Sequence, residues 1–241
     1  MSVELALIEQ MREFETPLVA EAMGAMGCKE PEKYYTGSDI KLLTEISEPM
    51  VGAALTLVAD TSTPGNKGDA NDLWKAYEMI KESKLPVVVV VKAIGSRPKH
   101  ECMLGDGMAK ILKASGSSGL ITDGGARDIE NINKVGYTVF GCGTVANHVG
   151  TNYKISKEPI IISGVSFTTA DLIHGDRDGI VIVPEIYHKH IVEVCTRARD
   201  VETRVHLFWR RTNKTLAEKR KFVTRMFKEH YEKCRQLFEN R

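Results

Sequence analysis

Five consecutive valines, residues 87–91, follow Pro86. A strand made of them has no polar face. Both of its sides must be covered, which is the situation of a strand inside a parallel sheet flanked by helices. The surrounding chain supplies the covering elements. Helical spacing runs over 73–83, and again over 105–115 and 128–134. Between and after these lie short apolar strands at 120–122 and 137–140, with others at 51–59, 159–163 and 179–183. Strands alternating with helices at this spacing predict a layered α/β domain.

The ends of the chain are helical. Residues 2–26 carry a helical period that restarts at Thr16-Pro17. The stretch 28–50 reads as a loop-rich connection with a short strand at 42–43, and 61–72 reads as a polar loop. Pro184-Glu185 opens a helix that runs past Leu207. A further helix over 214–238 places Leu216, Met226, Tyr231 and Cys234 on one stripe, the pattern of a docking or subunit surface. The expected division is therefore one α/β domain over 1–213 and a helical extension over 214–241.

Charge and composition narrow the partners. Lys plus Arg number 33 against 32 for Asp plus Glu, so a net +1 gives no global attraction for nucleic acid. No apolar run approaches the roughly 18 residues of a membrane span, so no membrane partner is expected. The start, Met1-Ser2-Val3-Glu4, is acidic where a secretory leader is basic. Five cysteines, an odd number with no CxxC pair, suit a reducing compartment and argue against a zinc–cysteine site. The expectation is a cytoplasmic protein.

The chemistry concentrates in residues 104–130. Gly105-Asp106-Gly107 stands where a loop becomes a helix, and the first N–H groups of a helix are free to bind an anion. A short strand then leads into Asp123-Gly124-Gly125-Ala126-Arg127-Asp128. A tight glycine turn at a strand's carboxyl end is where open α/β folds place ligands. Arg127 can grip a carboxylate with two hydrogen bonds. Asp128 offers hard oxygen to Mg²⁺ or Mn²⁺. Asp106 is a third charged group that the strand–helix–strand path returns to the same place, as a candidate base. His148 and His174 are read as lying in glycine-flanked loops, where either could touch a substrate.

Asp106, twenty intervening residues and then Arg127-Asp128 resemble the motif of the class II pyruvate aldolases typified by 4-hydroxy-4-methyl-2-oxoglutarate/4-carboxy-4-hydroxy-2-oxoadipate aldolase. That family includes oxaloacetate decarboxylase activity and the RraA-like proteins. The resemblance runs from about Pro17 to about Leu216, and takes in Val51-Gly52-Ala53-Ala54 and Asp178-Gly179-Ile180-Val181-Ile182-Val183-Pro184. It implies an α/β/β/α sandwich of the swivelling β/β/α type, assembled as a trimer or hexamer with sites between subunits.

The resemblance also implies roles. Gly105, Asp106, Gly107 and Met108 contact a small 2-oxo acid. Arg127 holds its carboxylate. Asp128 is the sole direct protein ligand of Mg²⁺ (or Mn²⁺). Asp106 positions or deprotonates a water. A carboxylate from a neighbouring subunit joins the proton relay, with Glu202 as the positional match and Glu21 as a weaker one. The expected activity is a carbon–carbon lyase that cleaves a 4-hydroxy-2-oxo acid to pyruvate and decarboxylates oxaloacetate. Two segments depart from the family pattern. Thr168-Thr169-Ala170-Asp171 replaces a Pro-Gly-Asp turn, and the stretch Cys142-Gly143-Thr144-Val145-Ala146-Asn147-His148 lacks the usual Pro and Arg. The alternatives are a non-catalytic RraA-like regulator that binds a ribonuclease or helicase, and a lyase or hydratase for a sugar-derived acid.

Overall fold

The computed structural model describes residues 3–147, 150 and 152–239. At its centre is an eight-stranded sheet. Val87–Ala93 lies between Met50–Asp60 and Ser117–Thr122, parallel to both, and Thr138–Gly141 extends the parallel run. The hairpin of Leu172–Asp176 and Gly179–Val183 adds antiparallel to the first half of Met50–Asp60. Asn152–Ile155 pairs antiparallel with its second half.

One stretch of chain, residues 34–42, joins the two edges of this sheet. At one edge the N–H of Thr36 donates to Ile180 O and that of Ile182 to Tyr34 O. At the other, Lys41 and Leu42 pair with Gly141 and Phe140. The sheet is nearly closed on itself as a result.

Closure explains the valine run. Val88 and Val90 point into the enclosed core with Ile121, Phe140 and Ile173, and the hairpin of Ile160–Ile162 and Val165–Phe167 fills the same space. Val87, Val89 and Val91 point outward beneath the helices Asn71–Glu82, Asp106–Ser115 and Ile129–Val135. A second helical layer of Leu5–Met11, Thr16–Ala25 and Ile191–Trp209 covers Val51, Leu172, Val181 and Val183. The order is helix, sheet, sheet, helix, as expected. Each buried valine contributes about 1.5–3 kcal/mol of burial free energy, so this strand anchors both layers.

Leu216–Glu239 lies over Ile191–Trp209, where Met226 meets Val201 and Val205, and Cys234 reaches the second helical layer. A capping box starts this helix: Glu218 N–H donates to Thr215 Oγ1 at 3.2 Å, and Thr215 N–H donates to the Glu218 carboxylate at 2.9 Å. No described helix is long and apolar enough to cross a membrane.

Several elements differ from the sequence reading. The helix after Pro184 breaks into Glu185–His188 and Ile191–Trp209, because His190 is non-helical at φ −121° and its N–H turns back to Tyr187 O. The strand expected at 120–122 starts at Ser117. Cys102–Leu104, Gly125–Ala126, Gly143–Thr144, Asn152–Ile155, Val165–Phe167 and Leu172–Asp176 were not foreseen as strands. Most are too short to show a period of two. His174 is not a loop residue near a ligand. It is fully buried in Leu172–Asp176, with Nδ1 2.9 Å from Thr16 Oγ1 and Nε2 3.1 Å from Met11 O. Together with Asp176, which accepts the Thr16 N–H at 2.7 Å, it docks the junction of the first two helices. His148 lies outside the described residues.

Candidate active site

The two halves of the motif meet through a small parallel sheet. Cys102–Leu104 runs beside Gly125–Ala126, which runs beside Gly143–Thr144. Arg127 N–H donates to Leu104 O at 3.0 Å. Two neighbouring strands thus end side by side, one opening into Gly105-Asp106 and the other into Arg127-Asp128. Gly125 permits this packing, since a Cβ there would stand 2.7 Å from Val145 Cγ1.

A cleft of about 310 Å³ opens at these strand ends, a size that suits a small metabolite. Gly105, Asp106, Gly107, Met108, Arg127 and Asp128 all line it, joined by Leu73, Cys102 and Tyr153. Gly105 caps the helix Asp106–Ser115 in extended conformation. A Cβ on Gly105 would lie 3.1 Å from Asp128 Oδ2 and 3.3 Å from Arg127 Nε, so the glycine keeps the space before both charges open. The first amide bonded within this helix is that of Ala109, to Gly105 O at 3.1 Å. The amides ahead of it lack intrahelical backbone acceptors, and that of Gly107 turns to the Asp106 carboxylate.

Arg127 Nε is buried and has no hydrogen-bond partner. Its 3.4 Å approach to Asp128 Oδ2 is an ion pair without hydrogen-bond geometry. Such a guanidinium is set up to receive an anion. Asp128 stands just before the helix Ile129–Val135 with φ 61° and ψ 33°, a left-handed conformation uncommon outside glycine. Its carboxylate, 37% exposed, has no described partner besides Arg127. Among the described residues no three His, Cys, Asp or Glu side chains cluster to cage a metal. A single hard carboxylate in a polar cleft suits Mg²⁺ or Mn²⁺, which keep several water ligands.

Asp106 pairs with Lys110 one helical turn on, Nζ to Oδ2 at 2.7 Å. The Lys110 ammonium holds the Asp106 carboxyl below the usual carboxylate range, with smaller help from the Gly107 amide and Arg127. Asp106 is therefore ionised at neutral pH and is a hydrogen-bond acceptor more than a strong base. Cys102 is buried, and burial raises its thiol pKa, so it is not poised as a nucleophile.

Glu202 does not line this cleft. It stands on Ile191–Trp209 facing Glu21 of Thr16–Ala25. Burial raises the Glu21 pKa, and the neighbouring Glu202 carboxyl raises it further.

Two supporting residues escaped the sequence reading. Tyr153 lines the cleft and donates its hydroxyl to Met103 O at 2.7 Å. Glu101 is fully buried immediately before Cys102–Leu104. Its carboxylate accepts from Thr61 N at 2.5 Å, Thr61 Oγ1 at 2.6 Å and Ser62 Oγ, and its carbonyl accepts from Gly125 N at 2.7 Å. It ties the loop after Met50–Asp60 to the strands that carry the cleft. A lone glutamate in Lys99-His100-Glu101-Cys102 carries no sequence signal for that task.

Comparison with known proteins agrees with this architecture. A protein of Halalkalibacterium halodurans named "Putative 4-hydroxy-4-methyl-2-oxoglutarate aldolase" is 27% identical over 191 residues, covering 79% of this chain and 82% of that protein. The fold matches an uncharacterized protein from Pseudomonas syringae with TM-score 0.67 at 21% identity, over 91% of this chain and 99% of the other. It matches equally the Streptomyces coelicolor protein RraAS2, described as an unusual member of the RNase ES inhibitor RraA protein family, with TM-score 0.67 at 22% identity, over 88% and 99% of the two chains. The family model for RraA-like proteins, described as Aldolase/RraA, matches residues 16–182, a span that holds every residue of the cleft, and the chain belongs to that family.

Proposed function

We infer that this protein is a divalent-metal-dependent class II pyruvate aldolase, which cleaves a 4-hydroxy-2-oxo acid to pyruvate and decarboxylates oxaloacetate at the same site. The observation that carries this reading is the meeting of Asp106, Arg127 and Asp128 around one cleft at a helix N-terminus. The name of the H. halodurans relative points to the same chemistry.

Arg127, whose guanidinium lines the cleft, binds the substrate carboxylate. The amides at the start of Asp106–Ser115 face the same anion. Asp128 would hold Mg²⁺ or Mn²⁺, which when bound supplies Lewis-acid polarisation of the 2-oxo group. Asp106, kept ionised by Lys110, accepts a hydrogen bond from the water that takes the 4-hydroxyl proton. The C3–C4 bond then breaks, its electron pair passes to the pyruvate enolate, and the other fragment leaves with a new carbonyl. Arg127 is already aimed at the negative charge that accumulates. Proton return to C3 yields pyruvate. Loss of CO₂ from oxaloacetate generates the same enolate. Glu202, outside the cleft of its own chain, fits a relay role in a neighbouring subunit of a homotrimer or hexamer.

The test is pyruvate release from oxaloacetate and from a panel of 4-hydroxy-2-oxo acids, with Mg²⁺ or Mn²⁺ and with EDTA. Turnover is expected with metal and is expected to vanish with chelator. Activity indifferent to chelator would overturn the metal assignment. Silence across the whole panel, with binding to a ribonuclease or helicase instead, would establish the regulator.

A further inference from the structure

The near-neutral total charge conceals one strongly positive region. Between residues 204 and 228 the chain carries nine Lys or Arg and a single acid, Glu218. This stretch is the elbow where Ile191–Trp209 turns into Leu216–Glu239. Four of its cations have acidic partners: Arg204 with Asp200, Lys214 with Glu218, Arg225 with Glu229 and Lys228 with Glu232. Arg210, Arg211, Lys219, Arg220 and Lys221 have no acidic side chain in contact among the described residues. Arg211 instead lies over the Phe208 ring, 5.4 Å from its centroid.

The same elbow exposes three large apolar groups to water. Leu216 is 84% exposed, Leu207 56% and Trp209 46%. The tip is not loose chain. Phe208 stacks on Phe222 at 4.1 Å across the turn, and the Thr215–Glu218 capping box fixes the start of the second helix. A rigid elbow therefore carries exposed leucine and tryptophan side chains together with five cations that have no described acidic partner.

We propose that this elbow docks the protein on an anionic phospholipid bilayer. Phosphodiester headgroups complement the five cations, and the interfacial region of a bilayer takes up Trp and Leu side chains. A nucleic-acid backbone satisfies the cations but offers nothing to an aliphatic side chain as exposed as Leu216. No residue of the elbow lines the cleft, and vesicle binding is read independently of turnover, although Ile191–Trp209 also carries Glu202.

The experiment is cosedimentation of the full chain with vesicles of phosphatidylcholine alone and of phosphatidylcholine mixed with phosphatidylserine. Binding is expected only to the second kind, and is expected to weaken steeply with added salt. In a Trp74→Phe variant Trp209 is the sole tryptophan, and its emission is expected to shift to the blue on binding. The triple variant Arg211→Glu, Arg220→Glu, Lys221→Glu is expected to lose vesicle affinity by roughly a hundredfold or more. Leu216→Ser, which leaves charge untouched, is expected to lose about tenfold. The thermal midpoints of both variants serve as the fold control. Equal partitioning onto the two vesicle types would overturn the proposal. So would retention of single-stranded RNA without vesicle binding, or a loss of self-association in the variants without any vesicle binding in the parent.

Discussion

Asp128 combines an unusual backbone with an under-partnered carboxylate, and the two can be separated by substitution. Asn shares with Asp a tolerance of the left-handed region. Asp128→Asn is therefore expected to unfold at nearly the same temperature as the parent while losing metal-dependent turnover. Asp128→Ala adds strain of about 1 kcal/mol at φ 61°, and its thermal midpoint should drop by a few degrees as well. Arg127 makes no hydrogen bond through Nε, so its removal is expected to take away substrate binding rather than internal structure. Arg127→Ala is expected to lower kcat/KM by about 10²–10³-fold with little change in stability. A melt as damaged as the turnover would assign Arg127 a structural role instead.

Among the elements, the small parallel sheet sets the geometry of the cleft, and Glu101 holds that sheet in place. Glu101→Ala leaves Thr61 N–H and two hydroxyls without their acceptor in a buried site. The expected cost is about 3 kcal/mol, visible as a thermal midpoint lowered by about 6–12 °C. A shift under two degrees would show that the clamp is not needed. The helix Leu216–Glu239 depends on its cap in the same way, and Thr215→Ala is expected to cost about 1 kcal/mol. The sequence disclosed these elements unevenly. The valine run and the helices over 73–83 and 105–115 announce themselves because a buried strand and an amphipathic helix each have a strong period. The Asp106, Arg127 and Asp128 set was legible because residue type and spacing coincide with a turn. The two- and three-residue strands that bring the set together have no period to read. Glu101 and Tyr153 act through contacts with Thr61 and Met103 that are distant along the chain, and no local pattern encodes such contacts.

Across the whole molecule, three buried or half-buried histidines make stability depend on pH. Burial lowers the pKa of His174, against the opposing pull of Asp176 and Glu15, and it lowers those of His188 and His230 too. The unfolded chain therefore takes up protons first as pH falls below about 6.5. Stability that is fully present above that value is lost on acidification, until the folded imidazoles also protonate. The thermal midpoint is expected to fall between about pH 7 and about pH 5.5. His174→Gln should be less stable at neutral pH, yet show a shallower slope over the same interval. An unchanged slope would mean that His174 does not carry this linkage.

Stabilisation of a pyruvate enolate in the cleft can be measured without knowing the natural substrate. Pyruvate would be incubated with the protein in D₂O, and loss of its methyl proton signal followed by NMR, with and without Mg²⁺. Metal-dependent exchange of the methyl protons is expected, abolished in Arg127→Ala and Asp128→Asn. Exchange no faster than in protein-free buffer, or equally fast in both variants, would contradict it.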